Sequence, residues 1–517
     1  MSRMLPLMPT QPAKSAAEHR RKARTPMMQP TKKSGALLAA ALLIGSSLNT
    51  LAGDGTTDDK MMPEKRPDAN PLSFLDGKVA FDFQERFRWE IRNNNFDFND
   101  SVNVFTDDNW FLQRARLGLV IKPSPWFKIY AQAQDSREIN SDRPDFPGLL
   151  GAEGDDAFDL RQGYIEIGNP KEFPLTLKAG RQILSYGDER VIGAFDWNNI
   201  GRTFDAVKLR WEEKTWWLDT FASTVVVPER RSYNQSDFFN GNETERKQIF
   251  SGLYFNTVAL GPQSIDLYAL HLHESLTAAP GDTNFATLGV RIKSKPGAFA
   301  PEAYVPDGKT MADGKSAPVP LKKKPVGLDY GFEGALQTGE VRGLDLTAWA
   351  VHGDIGYTFD MPWLPRAALG YSYGSGDGDP ANGDIETFQN LFPTNHKFYG
   401  QMDVFSWQNI HDLELNLRAQ PIKAVTIRAD YHAFFLASTD DAWYRANGVA
   451  TVRPLTPAAR SADNYAGSEI DVLVTWSVNK YLTVDAGYSH FFAGSYLGDT
   501  GADDDADFAY VQATLTF

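Results

Sequence analysis

The sequence predicts an all-β transmembrane barrel of about 18 antiparallel strands, with short periplasmic turns at one end and long extracellular loops at the other. Three observations carry this. Apolar and polar residues alternate with a period of two along most of the chain. Short and long connections alternate between the segments so defined. The chain opens on an export-type apolar stretch and closes on a strand ending in Phe517.

At the N-terminus, Lys32-Lys33, the apolar run from Gly35 to Leu51 and the triplet Thr50-Leu51-Ala52 supply a positive flank, a short hydrophobic core and small residues for cleavage. Residues 1–52 are therefore expected to be a cleaved secretory signal. Residues 53–75, with Pro63, Pro67 and Pro71, read as a periplasmic linker to a barrel over 76–517. The 34 residues ahead of the apolar run are long for such a signal, which makes Met27 or Met28 an alternative start. The signal holds eight of the 52 basic residues and one of the 66 acidic ones, so the exported chain keeps 44 against 65, a net charge of −21. No later stretch approaches the roughly 18 consecutive apolar residues that a membrane helix needs. A mean hydropathy of −0.38 then suits a barrel, because only alternate strand residues meet lipid. With no Cys, a disulfide scaffold, Cys-ligated zinc and a thiol nucleophile are excluded.

The phase of the alternation is the informative part. Val79, Phe81, Phe83, Phe87, Trp89 and Ile91 share one face, and Asp82, Gln84, Arg86, Arg88, Glu90 and Arg92 the other. Leu413, Leu415 and Leu417 alternate in the same way with Asp412, Glu414, Asn416 and Arg418. Strands are expected to start near Lys78, Trp110, Trp126, Phe158, Leu175, Phe204, Thr215, Arg246, Ser264, Thr287, Leu328, Gly343, Pro365, Gln408, Ala424, Ser468, Leu482 and Asp507, the Thr287 strand being the weakest. Short links such as 122–126, 212–215 and 420–424 alternate with long polar stretches at 93–109, 136–157, 183–203, 226–245, 374–407, 436–467 and 492–506. One connection breaks the alternation: 294–327, rich in Pro, Lys, Ala and Gly, falls where a short turn belongs. Its composition predicts a disordered insertion; a plug or a docking segment for periplasmic export partners is the alternative.

The polar phase would line the lumen, and it carries Arg86, Arg88, Arg92, Arg114, Arg116, Lys128, Lys178, Lys208, Arg210, Arg418 and Arg428 among Asp82, Glu90, Glu414 and Asp430. Basic rings inside a barrel select anions; charges of both signs can equally brace the wall through ion pairs. Both readings stand on the sequence. Catalytic readings find no support: the eight His are scattered, 374–380 has glycines without a strand-to-helix context, and no Ser lies in a nucleophile elbow. No metal or other cofactor and no nucleic-acid partner is expected.

Two stretches carry a family resemblance. Gly180-Arg181-Gln182, followed by Tyr186-Gly187-Asp188-Glu189-Arg190, Asp196-Trp197-Asn198-Asn199 and Gly201-Arg202-Thr203-Phe204-Asp205, resembles the signature of the alginate export family of outer-membrane proteins. So does Ser375-Gly376-Asp377 with Phe388-Gln389-Asn390-Leu391-Phe392-Pro393-Thr394-Asn395-His396-Lys397. The resemblance implies an 18-stranded porin-like barrel passing an anionic polysaccharide, or a related anionic solute, across the outer membrane. It implies an Arg-rich constriction, which would fall here to Arg114, Arg116, Arg181, Arg190, Arg202 and Arg210. The alternative for the 183–203 loop is bracing, in which its Asp188, Glu189, Arg190, Asp196 and Arg202 satisfy one another inside the lumen and constrict it without recognising a polymer. Strict alternation puts Lys178 inside and Arg181 outside unless Gly180 makes a bulge. The terminal strand, with Val511, Ala513 and Leu515 in phase and Phe517 last, resembles the signal by which the barrel assembly machinery recognises its substrates. A nutrient-uptake porin for small sugars or organic anions shares every feature but the polymer.

Overall fold

The computed structural model describes residues 72–102, 105–143, 154–229, 233–236, 246–276, 281–295, 304–310, 316–320 and 325–517. The signal segment, most of the linker, residues 277–280 and parts of four long connections lie outside the described residues.

Eighteen long strands run in chain order around a closed ring: β1 Val79–Asn93, β2 Asp108–Ser124, β3 Phe127–Ile139, β4 Asp156–Ile167, β5 Leu175–Gln182, β6 Phe204–Glu212, β7 Trp216–Val227, β8 Arg246–Thr257, β9 Gln263–Leu276, β10 Thr283–Ser294, β11 Gly327–Val341, β12 Leu344–Thr358, β13 Arg366–Gly374, β14 Ile410–Ile422, β15 Val425–Phe435, β16 Tyr465–Ser477, β17 Leu482–Ala493 and β18 Ala506–Thr516. Each pairs antiparallel with the next. β18 returns to β1 in the register Thr516↔Gln84 to Asp507↔Asn93, so no strand edge is left unpaired in the ring. Every strand start read from the alternation has its counterpart, because a two-residue period with one lipid-facing phase fixes register strongly. Phe87, Trp89 and Ile91 are exposed on the outer face, whereas Arg86, Arg88 and Arg92 are buried inside.

The connections depart from expectation at three places. At the loop end, β11 and β12 are joined by Arg342 and Gly343 alone, both at positive φ (54° and 79°), as a two-residue hairpin turn requires. β9 and β10 are also joined by a short segment, so the long connections do not run all the way round the rim. At the opposite end, the 294–327 insertion contains an antiparallel pair, Tyr304–Thr310 with Ser316–Pro320, where composition predicts no order. The β-formers Tyr304, Val305 and Val319 lie within that pair.

The lumen is not polar throughout. Near the loop end the inward positions turn aromatic: Phe204, Phe250, Phe434, Phe491 and Phe508 are buried. They pack against residues from the 375–409 and 436–464 connections, with Phe250 and Phe392 rings 4.8 Å apart and Phe405 4.8 Å from Trp443. Long connections have folded into the barrel mouth and built a hydrophobic core there, each aromatic pair contributing about 0.5–1.5 kcal/mol beyond its buried area.

Candidate functional site

The chain leaves β5 at Gln182 and turns inward. At one end of the 183–203 segment, the Asp196 carboxylate meets Arg116 at 2.7 Å, Arg114 at 3.1 Å and Arg161 at 3.6 Å. Arg86 and Arg114 also donate to the Asp196 carbonyl (2.7 and 3.1 Å), and Arg88 donates to the Trp197 carbonyl at 2.6 Å with its guanidinium 3.8 Å over the Trp197 ring. Gly201 sits at φ +75° against the Arg161 guanidinium, space that a Cβ would occupy. At the other end, Asp188 pairs with Lys293 at 2.9 Å and with Arg291, both on β10. In a ring of 18 strands, β1 and β10 stand nine places apart and therefore face each other. Residues 188–199 thus form a bar across the lumen, anchored on opposite walls.

The 375–409 connection locks the middle of this bar. Glu189 pairs with Lys397 at 3.0 Å, Arg190 stacks 3.9 Å over Phe398, Ile192 bridges Phe392, and Arg202 donates to the Pro393 carbonyl at 2.8 Å. Burial by itself would raise the Asp196 carboxyl, but Arg114, Arg116, Arg86 and Arg161 outweigh it and hold it well below the usual carboxylate range. Asp188 is likewise held down by Lys293 and Arg291 against its own burial. Groups with depressed folded pKa values give stability that is complete above the unfolded value and lost only as pH falls through the folded one. The bar should therefore hold, and single-channel conductance stay level, from pH 7 down to about pH 4. A conductance rise between pH 7 and 5 would show that other groups hold it.

The predicted basic residues take three different positions. Arg86, Arg88, Arg114 and Arg116 point inward but grip the bar, and so brace it rather than facing an open channel. Lys178, Lys208 and Arg210 lie on the inner face toward the terminus end: Lys208 and Arg210 share Asp219 (3.1 and 2.6 Å), and Lys178 lies 3.8 Å over the Tyr164 ring. Arg418 faces inward between Arg366 and Arg428 in register, and Arg428 pairs with Asp430 at 2.5 Å. Arg181 does not line the lumen. The β4–β5–β6 register runs unbroken through Gly180, so Arg181 keeps the outward phase of Leu177 and Ala179 and pairs outside with Asp205 at 3.0 Å. Asp205 also accepts the Ser236 hydroxyl at 2.6 Å, which completes an outer-rim cluster.

Charge is segregated around the inner wall. The terminus half of the β3–β7 face carries Lys128, Lys178, Lys208 and Arg210 against Glu166, Glu212 and Asp219, while its loop half carries Arg161 against Glu138, Asp156 and Asp159. The β14–β17 face carries Asp412, Glu414, Asp430, Glu469, Asp471 and Asp485 against Arg418 and Arg428. The lumen is thus two-sided rather than uniformly basic. Sequence reasoning missed Arg161 because a bulge between Gln132 and Ala133 brings it inward beside Gln162. It missed Arg291 and Lys293, the far anchor of the bar, because they fall on the strand with the faintest alternation.

A family model described as alginate export matches residues 78–511. Among solved structures, Pseudomonas aeruginosa OccK2 (OpdF) in complex with glucuronate gives a TM-score of 0.55 at 11% identity, covering 86% of this chain and 99% of that one. OccK9 (OpdG) from the same organism gives 0.55 at 12% over 86% and 100%, and OpdK with vanillate 0.53 at 10% over 84% and 98%. At these identities the likeness establishes the barrel fold. No curated protein sequence matches the chain.

Proposed function

Because the chain belongs to the alginate export family of outer-membrane barrels, we propose that it is a passive pore for acidic sugars, which travel along the basic β3–β7 wall past the bar. The observation that carries this reading is the segregated wall. In the terminus half of that wall Lys128, Lys178, Lys208 and Arg210 outnumber Glu166, Glu212 and Asp219, and an anion there moves in a field set by this basic excess. Two similar structures were solved with carboxylates, glucuronate and vanillate, which supports the same ligand chemistry. The bar favours a second reading, uptake of small organic anions, since a segment anchored on opposite walls narrows the path for a polymer. The long extracellular loops and the Phe517 terminus fit insertion by the barrel assembly machinery. Phe517 donates its amide to the Phe83 carbonyl at 2.9 Å and closes the seam.

Current block in planar bilayers separates the two substrates. Oligouronates should block at lower concentration than neutral glucans of equal length if the polymer is the cargo; glucuronate alone should block if the monomer is. Exchanging Lys178 and Lys208 for Glu should move the reversal potential toward cations while leaving the heat-modifiable barrel intact. An unchanged reversal potential would remove the basic wall from the account.

A further inference from the structure

At the loop end a cavity of about 350 Å³ opens between the outer ends of β1 and β7, the bar and the 436–464 connection. Two of its lining residues are arginines that no carboxylate pairs with among the described residues. Arg202 gives its hydrogen bonds to the Gly193 and Pro393 carbonyls. Arg445 donates through Nε to the Thr451 carbonyl at 3.0 Å and lies 4.2 Å over the Phe96 ring. The two acidic residues on the wall are already matched: Glu90 lies 2.6 Å from Arg88, and Asp403 lies 3.0 Å from His396 and 3.5 Å from Arg92. The cavity's uncompensated charge is therefore positive. Burial lowers both free guanidinium groups to about 10, well above neutrality, so both remain cationic.

Phe195 adds apolar ring surface and Trp197 its edge, both Trp197 faces being covered by Arg88 and His396, while Asn198 and Asn447 line the wall with amide side chains. Cationic forks, an apolar ring and amides together match a sugar that bears a carboxylate: the forks take the carboxylate, the Phe195 ring takes the C–H face, and the amides take hydroxyls. The volume lies at the lower end of the roughly 300–1,000 Å³ typical of small-molecule sites, enough for a single sugar unit and not a chain segment.

We propose that this cavity is an outer-mouth binding subsite for one uronate residue, with Arg202 and Arg445 receiving its carboxylate. The proposal rests on the reading of the chain as a pore for acidic sugars. It adds a recognition step at the loop end, ahead of the bar.

The test uses the full-length barrel in planar bilayers, with glucuronate or glucose added on the loop side. Glucuronate should produce concentration-dependent blocking events and glucose should not. Asn447→Asp keeps the side-chain oxygen that accepts the Val449 and Ala450 amides while adding a negative charge to the cavity wall, so the loop fold is retained. It should weaken glucuronate block roughly tenfold with KCl conductance unchanged, and Arg445→Gln should do the same. Absence of glucuronate block in the unmutated channel, equal block by glucose, or block insensitive to both substitutions would overturn the subsite. Failure of the pore reading looks different: the unmutated protein would carry no current or would prefer cations in KCl alone.

Discussion

Replacing residues 188–199 with a short Gly/Ser linker should raise single-channel conductance several-fold while leaving a closed, heat-modifiable barrel. The segment touches both the β1–β4 wall, through Asp196, and the β10 wall, through Asp188. None of the 18 ring pairings depends on it, so its removal widens the lumen without opening the sheet. The aromatic core built by the 375–409 and 436–464 connections retains its contacts with Phe434 and Phe491. Its loss of Ile192 and the Glu189–Lys397 pair should loosen that mouth further. A conductance equal to that of the intact protein would mean that the bar does not set the narrowest point.

The second large effect is expected from Asp196→Asn. This change keeps the size of the side chain and removes the one charge shared by Arg114, Arg116 and Arg161, of which Arg114 is only 1% exposed. Leaving buried cations without their partner costs about 3–5 kcal/mol, because desolvation of the guanidinium groups is no longer offset. The midpoint of heat-modifiable unfolding should fall by many degrees, and conductance should become noisy as the bar detaches from β1 and β2. Arg137→Ala serves as the control. Its pair with Asp135 is 2.6 Å long but only partly buried, with the two side chains 40% and 28% exposed, so its removal should cost less than about 1 kcal/mol.

The fold was legible because a barrel wall repeats one rule eighteen times. Each strand presents an apolar phase to lipid, and Phe87, Trp89 and Ile91 against Arg86, Arg88 and Arg92 display that rule without help from tertiary context. The site was only half legible. Alternation identifies which arginines point inward, and it also places Arg181 outside once the register through Gly180 is intact. It says nothing of what those arginines meet, since their partners Asp196 and the Trp197 carbonyl lie about a hundred residues away in a loop that folds back.

The aromatic mouth left a trace that alternation alone passes over. At Phe434-Phe435 and Phe491-Phe492 both phases are apolar, which means that both faces of the strand are covered, one by lipid and one by infolded loops. The basic anchor on β10 was hidden for the opposite reason: Gly289 and Thr287 dilute the inward phase around Arg291. Net charge misled in a different way. The chain average conceals a wall that is basic in the terminus half of β3–β7 and acidic on β14–β17.

The reversal potential of the unmutated protein under a KCl gradient, in a planar bilayer at neutral pH, tests the central claim most directly. An anion-passing pore built on the Lys178, Lys208 and Arg210 wall predicts a potential displaced toward the chloride equilibrium value. A potential displaced toward the potassium value would contradict it.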